Sequence, residues 1–267
     1  MRDFAYHRPS NLADALSLRQ SAEDGAYLAG GMTLIPTLKQ RLAQPSDLVD
    51  LGALGDLAGV RTEGGALVIG AMTRHAAVAA SPDVQRAIPA LAALAGGIGD
   101  PQVRNRGTIG GSVANSDPAA DYPAAVIALG ATIRTDHREI AAADYFKDLF
   151  ETALQSGELI REIAFPVPRR AAYRKFPHPA SRYAVAGVFV ADFGAGDIRV
   201  GVTGAGPCAF RATALEQALA ARLDPAALDG VTIDSSRFNS DLAASAEFRA
   251  QLVRTMAKRA VADLIAA

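Results

Sequence analysis

One stretch, from Gly96 to Pro123, constrains this chain more than any other part of its sequence. It reads GGIGDPQVRNRGTIGGSVANSDPAADYP, and its six glycines and three prolines show neither helical nor strand periodicity. A long segment of this kind inside a compact domain is usually functional. The sequence therefore predicts a long irregular loop that takes part in a binding site.

Two pairs of adjacent glycines, each flanked by a hydroxyl side chain, form the first candidate site. They lie in Ala29-Gly30-Gly31-Met32-Thr33, the first glycine loop, and in Thr108-Ile109-Gly110-Gly111-Ser112, the second glycine loop. Because glycine has no Cβ atom, the consecutive backbone N–H groups of such a loop can close around a phosphate. The dipole of a helix that begins after the loop further favours the negative charge of the phosphate. Either loop alone could be a plain tight turn. Two such loops that converge on one ligand would suit a diphosphate.

Two aspartates, Asp117 and Asp121, follow the second glycine loop at a spacing of four residues. Each precedes a proline closely, so both could simply cap helices. A carboxylate would repel a diphosphate but can accept hydrogen bonds from hydroxyl groups. Ribose or ribityl hydroxyls are therefore the better ligand partner for these side chains.

A third glycine motif, Gly204 to Ala209, fits the Gly-x-Gly-x-x-Ala dinucleotide fingerprint only formally. That fingerprint needs a βαβ unit with a second parallel strand and an acidic residue at its end. After the predicted helix over 211–222 the sequence offers only Val231-Thr232-Ile233, and Pro207 removes an N–H donor. We interpret this motif as a turn.

Charge and cysteine content exclude several classes of function. The net charge is −1 and there is one cysteine, Cys208. Nucleic acid is not expected as a partner, and one cysteine cannot make an internal disulfide or an iron–sulfur cluster. We expect no membrane span, no signal peptide, no bound metal and no catalytic triad, and a cytoplasmic location.

The order of predicted elements places a domain boundary near residue 170. Helices are predicted over 33–42, 81–94 and 241–266, and no parallel βαβ series is visible. Pro166, Pro168 and the pair Arg169-Arg170 mark the end of a predicted strand over 157–168. Beyond them the pattern changes to strands followed by helices.

Four segments resemble the FAD-binding medium subunits of molybdenum hydroxylases, in the same order and spacing. They are LAGGMTLIPTLKQRLAQPSDLVDL, IGAMTRHAAVA, IGDPQVRNRGTIGGSVANSDPAADYPAA and GELIREIAFPVP. The medium subunit of aerobic carbon monoxide dehydrogenases is the nearest type, and the flavin domain of xanthine dehydrogenases is a more distant one. The resemblance covers essentially the whole chain.

This resemblance implies an α+β fold. Residues 1–170 would form an FAD-binding domain of two α/β subdomains, of the vanillyl-alcohol-oxidase or PCMH type. Residues 171–267 would form a small C-terminal domain, an antiparallel sheet covered by helices. The residues implied in FAD binding are Ala29, Gly30, Gly31, Met32, Thr33, Leu34, Ile98, Thr108, Ile109, Gly110, Gly111, Ser112, Asp121, Ile160, Lys175 and Tyr183.

Two positions depart from the family pattern. Many relatives have His where this chain has Met32, and Asn where it has Ser112. Met32 cannot replace a polar side-chain contact, whereas Ser112 keeps a short polar group. We expect FAD binding to survive both changes.

The resemblance also implies an oxidoreductase that works in a complex. Electrons would pass from iron–sulfur clusters on a small subunit to FAD on this chain and then to a final acceptor, while a large subunit holds molybdopterin. The complex would be a dimer of heterotrimers. A stand-alone FAD oxidoreductase of the same fold and a non-catalytic nucleotide-binding module are the alternatives.

Overall fold

The N-terminal unit is built on a three-stranded parallel sheet; the computed structural model describes residues 1–266. The elements of this unit are β1 (Ala5–His7), α1 (Leu12–Ser21), β2 (Gly25–Leu28), α2 (Leu34–Lys39) and β3 (Asp47–Asp50). Both outer strands pair in parallel with the central β3, in the order β1-β3-β2. The unit is thus a small βαβαβ arrangement.

The expectation that no parallel βαβ series exists is therefore wrong. The strands are only three or four residues long, and β1 is largely exposed. Parallel strands are recognised by continuous apolar runs that are buried on both faces. Strands this short and this exposed carry no such run.

The middle unit is a five-stranded antiparallel sheet packed against helices. Its elements are β4 (Val60–Glu63), β5 (Ala66–Gly70), α3 (His75–Ala80), α4 (Pro82–Ala87), α5 (Pro89–Gly96), α6 (Pro101–Arg106), α7 (Ile109–Asn115), α8 (Tyr122–Leu129), β6 (Thr132–Thr135), β7 (Glu139–Ala141), α9 (Ala142–Tyr145), β8 (Phe146–Asp148), β9 (Glu151–Thr152) and β10 (Ile160–Pro166). The strand order is β4-β5-β10-β6-β7, and β8 and β9 form a separate hairpin. The predicted helix over 81–94 is interrupted at Ile88 because Pro89 disfavours the helical conformation in the residue before it.

The segment from Gly96 to Pro123 is not one irregular loop, as its sequence predicts, but carries helices α6 and α7 and the start of α8. Each of these helices is six to eight residues long, which is too short for its periodicity to be recognised. Local caps define two of them. Asp100 accepts a hydrogen bond from Val103 N, and Thr108 accepts one from Gly111 N.

The C-terminal unit is a four-stranded antiparallel sheet covered on both faces. Its elements are β11 (Arg170–Pro177), β12 (Ala184–Asp192), β13 (Ile198–Thr203), β14 (Phe210–Arg211), α10 (Thr213–Ala221) and α11 (Ala246–Ala266). The strand order is β11-β12-β13-β14. Residues 241–245, which are predicted as helix, precede the start of α11.

Helix α8 connects the middle unit to this sheet. On β12, Phe189 belongs to the hydrophobic core that contains α8, whereas Val188 and Val190 belong to the core that contains α11. Because side chains alternate along a strand, the two helices cover opposite faces. Gly201 on β13 allows the close approach, since a Cβ there would lie 2.1 Å from the carbonyl oxygen of Ala124.

The architecture confirms the α+β class. Within residues 1–266, no helix combines the length and apolar character needed to cross a membrane.

Candidate functional site

A cavity of about 490 Å³ lies where the two glycine loops and the turn at 181–183 face one another. Such a volume is typical of small-molecule and cofactor sites. Of the sixteen residues implied in FAD binding, the lining contains Ala29, Gly30, Gly31, Met32, Thr33, Leu34, Ile98, Thr108, Gly110, Gly111, Ser112, Asp121, Ile160 and Tyr183. Ile109 and Lys175 are not in the lining.

At Gly30 the first glycine loop meets the two residues that precede the second glycine loop. A Cβ on this residue would lie 2.2 Å from the carbonyl oxygen of Arg106 and 2.8 Å from the Cα of Gly107. Gly107 in turn packs against His75, whose Nε2 would be 2.5 Å from a Cβ. The backbone at Gly30 therefore packs directly against the backbone of residues 106 and 107, which only glycine permits.

The first glycine loop presents unused donors to the cavity. Among residues 1–266, no acceptor receives a hydrogen bond from the backbone N–H groups of residues 30–34. Gly31 adopts a left-handed conformation with φ of 74°, and Thr33 precedes α2 without a side-chain cap bond. Successive N–H groups of this kind are suited to an anion, which they can bind as a nest.

The second glycine loop is built differently. The N–H of Ile109 donates to Thr73 O at 3.1 Å, and that of Gly110 donates to Ala71 O at 2.8 Å. The N–H groups of Gly111 and Ser112 both donate to Thr108, at its Oγ1 and its carbonyl oxygen. This loop therefore contributes shape and hydroxyl groups, whereas the first glycine loop contributes backbone donors.

Ile109 and Gly110 explain why this loop is so tightly bound to the middle sheet. The Ile109 side chain is completely buried in the main hydrophobic core. A Cβ on Gly110 would lie 2.4 Å from the Cβ of Ala71. Ile109 thus anchors the loop from behind, which is why it does not reach the cavity.

Asp121 is a buried charged residue in the cavity wall. It precedes α8, but its side chain makes no cap bond, so the capping interpretation is wrong for this residue. Its carboxylate accepts hydrogen bonds from the Tyr173 hydroxyl at 2.6 Å and from Lys175 Nζ at 3.1 Å. Burial raises the pKa of Asp121, whereas Lys175 and Tyr173 act to lower that pKa.

Asp117 behaves differently from its neighbour. Its Oδ1 accepts a hydrogen bond from Ala119 N at 2.8 Å, which is a local turn rather than a helix cap. Burial raises the pKa of its carboxyl group. Asp117 also lines the cavity, so both aspartates of the sequence motif reach the same site.

Lys175 acts on the site from outside the cavity. Its Nζ bridges Asp121 and the carbonyl oxygen of Gly97, the latter at 3.0 Å. Sequence reasoning missed Tyr173, which lies two residues earlier on β11. The signal was available, because residues i and i+2 of a strand share a face.

Two further residues shape the cavity in ways that no pattern in the sequence indicates. His75 is only 5% exposed, lines the cavity and has a buried Nδ1 without a partner among residues 1–266. Arg104 Nη1 donates to the carbonyl oxygens of Ile98 and Gly99, at 2.9 and 3.1 Å, and so holds Ile98 in the wall.

Comparison with known proteins identifies the type of site. Residues 2–168 match the family model described as the FAD binding domain in molybdopterin dehydrogenase. The chain belongs to this family. Membership confirms FAD as the cofactor, and it confirms the resemblance found in the sequence.

Relatives of this FAD-binding family extend the match to the whole chain. The carbon monoxide dehydrogenase medium chain of Afipia carboxidovorans is 43% identical over 195 residues, which are 70% of this chain and 68% of that one. The nicotine 6-hydroxylase medium subunit of Paenarthrobacter nicotinovorans is 33% identical over 97% of this chain and 96% of its own.

A solved structure shows the same fold throughout. A chain of reconstituted CO dehydrogenase from Oligotropha carboxidovorans aligns with a TM-score of 0.92 and 37% identity, over 99% of this chain and 98% of that one. These relatives are oxidoreductase subunits named as medium chains of multi-subunit complexes.

The buried imidazole of His75 predicts a specific pH dependence of stability. Burial and the nearby charge of Arg104 lower the pKa of His75 from 6.5 to about 4. Between these values the unfolded chain binds more protons than the folded chain, so the free energy of unfolding falls as the pH falls. The loss reaches about 3 kcal/mol once the pH is below about 4.

Chemical denaturation of the full chain at several pH values, with and without His75→Gln, measures this effect. In the variant, the free energy of unfolding should depend less steeply on pH between about 6.5 and 4. The decrease in slope should correspond to close to one bound proton. His137→Gln is the matched control, because the His137 side chain is 60% exposed. Equal slopes for wild type and His75→Gln would contradict the assignment.

Proposed function

We propose that this chain is the FAD-binding medium subunit of a heteromeric molybdenum hydroxylase. When bound, FAD supplies the electron-transfer chemistry that links iron–sulfur clusters on a partner subunit to a final acceptor. The role of this chain is to bind the cofactor, to orient it and to exclude water. We assign no catalytic acid or base to it.

The observation that carries the proposal is the set of N–H groups at residues 30–34, which have no acceptor in the described part of the chain. They line the cavity, and the contact at Gly30 holds them opposite the second glycine loop. These donors fit a diphosphate, since each is a backbone group that needs an acceptor once water is displaced. Because the donors are backbone groups, Met32 in place of the family's usual His leaves them intact.

Side chains around the cavity fit the remaining parts of the cofactor. Asp121 would accept a hydrogen bond from a ribose or ribityl hydroxyl, and Thr108 and Ser112 offer hydroxyl groups beside the diphosphate. Ile98, Ile160 and Tyr183 supply apolar and aromatic surface for the ring systems. We assign Ile109 and Lys175 supporting roles, as they anchor the second loop and Asp121.

Partner subunits are the second part of the proposal. One cysteine cannot ligate an iron–sulfur cluster, so these clusters would lie on a small subunit and molybdopterin on a large one. We propose a dimer of these heterotrimers in the cytoplasm. The medium-chain names of the relatives support a multi-subunit assembly.

We also propose a domain boundary near residue 170. Residues 1–170 would be the FAD-binding domain and residues 171–267 the C-terminal domain. The match to the FAD-binding family ends at residue 168, and β11 begins at Arg170. Helix α8 and the contacts of Asp121 with β11 connect the two domains.

Replacing Gly30 by Ala tests the binding site directly. The added Cβ would force the loops apart, so the dissociation constant of FAD should rise at least about tenfold, which is 1.4 kcal/mol of binding free energy. Gly55→Ala is the control, because no atom lies within 4 Å of a Cβ there. Flavin fluorescence quenching on the full chain measures both. Unchanged FAD affinity in Gly30→Ala would contradict the site.

Purification from the native host tests the partners. The chain should co-purify with an iron–sulfur subunit and a molybdenum-containing subunit, detected by metal analysis and by their masses. A preparation that carries FAD but reproducibly lacks both metals would refute the heteromeric complex and would favour the stand-alone oxidoreductase.

A further inference from the structure

The carboxylate of Asp121 is held from the C-terminal sheet rather than from its own segment. Tyr173 and Lys175, which share one face of β11, are its two side-chain partners. The Asp121 side chain is 4% exposed and that of Lys175 is 13% exposed. Two residues of one strand therefore determine how a buried charge is presented to the cavity.

A count of acceptor positions shows what these contacts leave open. Each carboxylate oxygen has two lone pairs. Oδ1 accepts a hydrogen bond from the Tyr173 hydroxyl at 2.6 Å, and Lys175 Nζ lies 2.9 Å from the same oxygen as its ion-pair partner. Among the side chains of residues 1–266, Lys175 is the one that donates to Oδ2, at 3.1 Å. One position on Oδ2 thus stays available for a ligand.

The sheet makes room for the Tyr173 hydroxyl through a glycine on the neighbouring strand. Tyr173 pairs with Phe189 in the register of β11 and β12, and Lys175 pairs with Gly187. A Cβ on Gly187 would lie 2.5 Å from the Tyr173 hydroxyl oxygen. The glycine therefore allows this hydroxyl to reach Asp121.

We propose that Tyr173 is a positioning residue for FAD binding. Its hydroxyl donates to Oδ1 of Asp121 and fixes the carboxylate, so that Oδ2 can accept a hydrogen bond from a cofactor hydroxyl. The inference rests on the proposed function, because it assigns Asp121 to a hydroxyl of FAD. It adds a residue outside the cavity that sets the affinity and pH dependence of that contact.

The charged and titratable groups around Asp121 define the expected pH effect. Lys175 and Tyr173 face it from β11, Tyr122 from the start of α8, and Tyr183 from the turn between β11 and β12. Lys175 and the Tyr173 hydroxyl lower the pKa of Asp121 against the effect of burial. Without that hydroxyl, the carboxylate would take up a proton at a higher pH.

Tyr173→Phe in the full chain tests this role, because the ring and its packing against Phe189 are retained. The dissociation constant of FAD should rise about tenfold at neutral pH, as expected for a lost hydrogen bond to a charged group. The pH below which FAD affinity falls should also move upward. Tyr145→Phe is the matched control, since its buried hydroxyl donates to Val113 O, away from Asp121.

A second background separates positioning from a general structural role. In Asp121→Ala, which has no acceptor for the Tyr173 hydroxyl, Tyr173→Phe should change neither FAD affinity nor its pH dependence further. If Tyr173→Phe weakens binding equally in both backgrounds, or if it leaves wild-type affinity and pH dependence unchanged, the inference is overturned. Failure of the wild-type chain itself to bind FAD would instead overturn the proposed function.

Discussion

The contact between Gly30 and the backbone at Arg106 and Gly107 is the constraint on which the site depends. It brings the N-terminal parallel sheet and the middle unit together at backbone distance. No side chain fits between them, so the position of the first glycine loop is set by the backbone that leads into the second. The open N–H groups at residues 30–34 and the cavity itself follow from this contact.

Two kinds of group determine the electrostatics of the cavity. Neutral backbone donors on one side suit a diphosphate without adding a full positive charge. On the other side a buried carboxylate, Asp121, is balanced by Lys175, which keeps the anionic ligand from meeting an uncompensated negative charge. The C-terminal sheet therefore holds a carboxylate of the cavity wall in place, although among its described residues only those of the turn at 181–183 reach the cavity.

Much of this site could be predicted from the sequence, because glycine pairs and a spaced aspartate pair are local patterns with a direct chemical meaning. The α+β fold followed from the resemblance of the whole chain. The parallel sheet could not be predicted, since strands such as β1 are too short to show periodicity. The helices α6 and α7 could not be predicted either, because they too are short.

Other features depend on tertiary contacts that no local pattern encodes. The second glycine loop looks like the first in sequence, yet Thr73 and Ala71 take up its donors. His75 and Tyr173 each matter because of what the fold places beside them. Gly107 and Gly187 show the same dependence, as their missing side chains are explained only by residues far away in the sequence.

Hydrogen exchange of the individual backbone amides, with and without FAD, tests the central claim most directly. The amides of residues 30–34 should exchange rapidly in the FAD-free chain and become strongly protected when FAD binds. The amides of residues 109–112 should be protected in both states, because they already donate within the protein. Protection that appears at residues 109–112 while residues 30–34 stay unchanged would contradict the account.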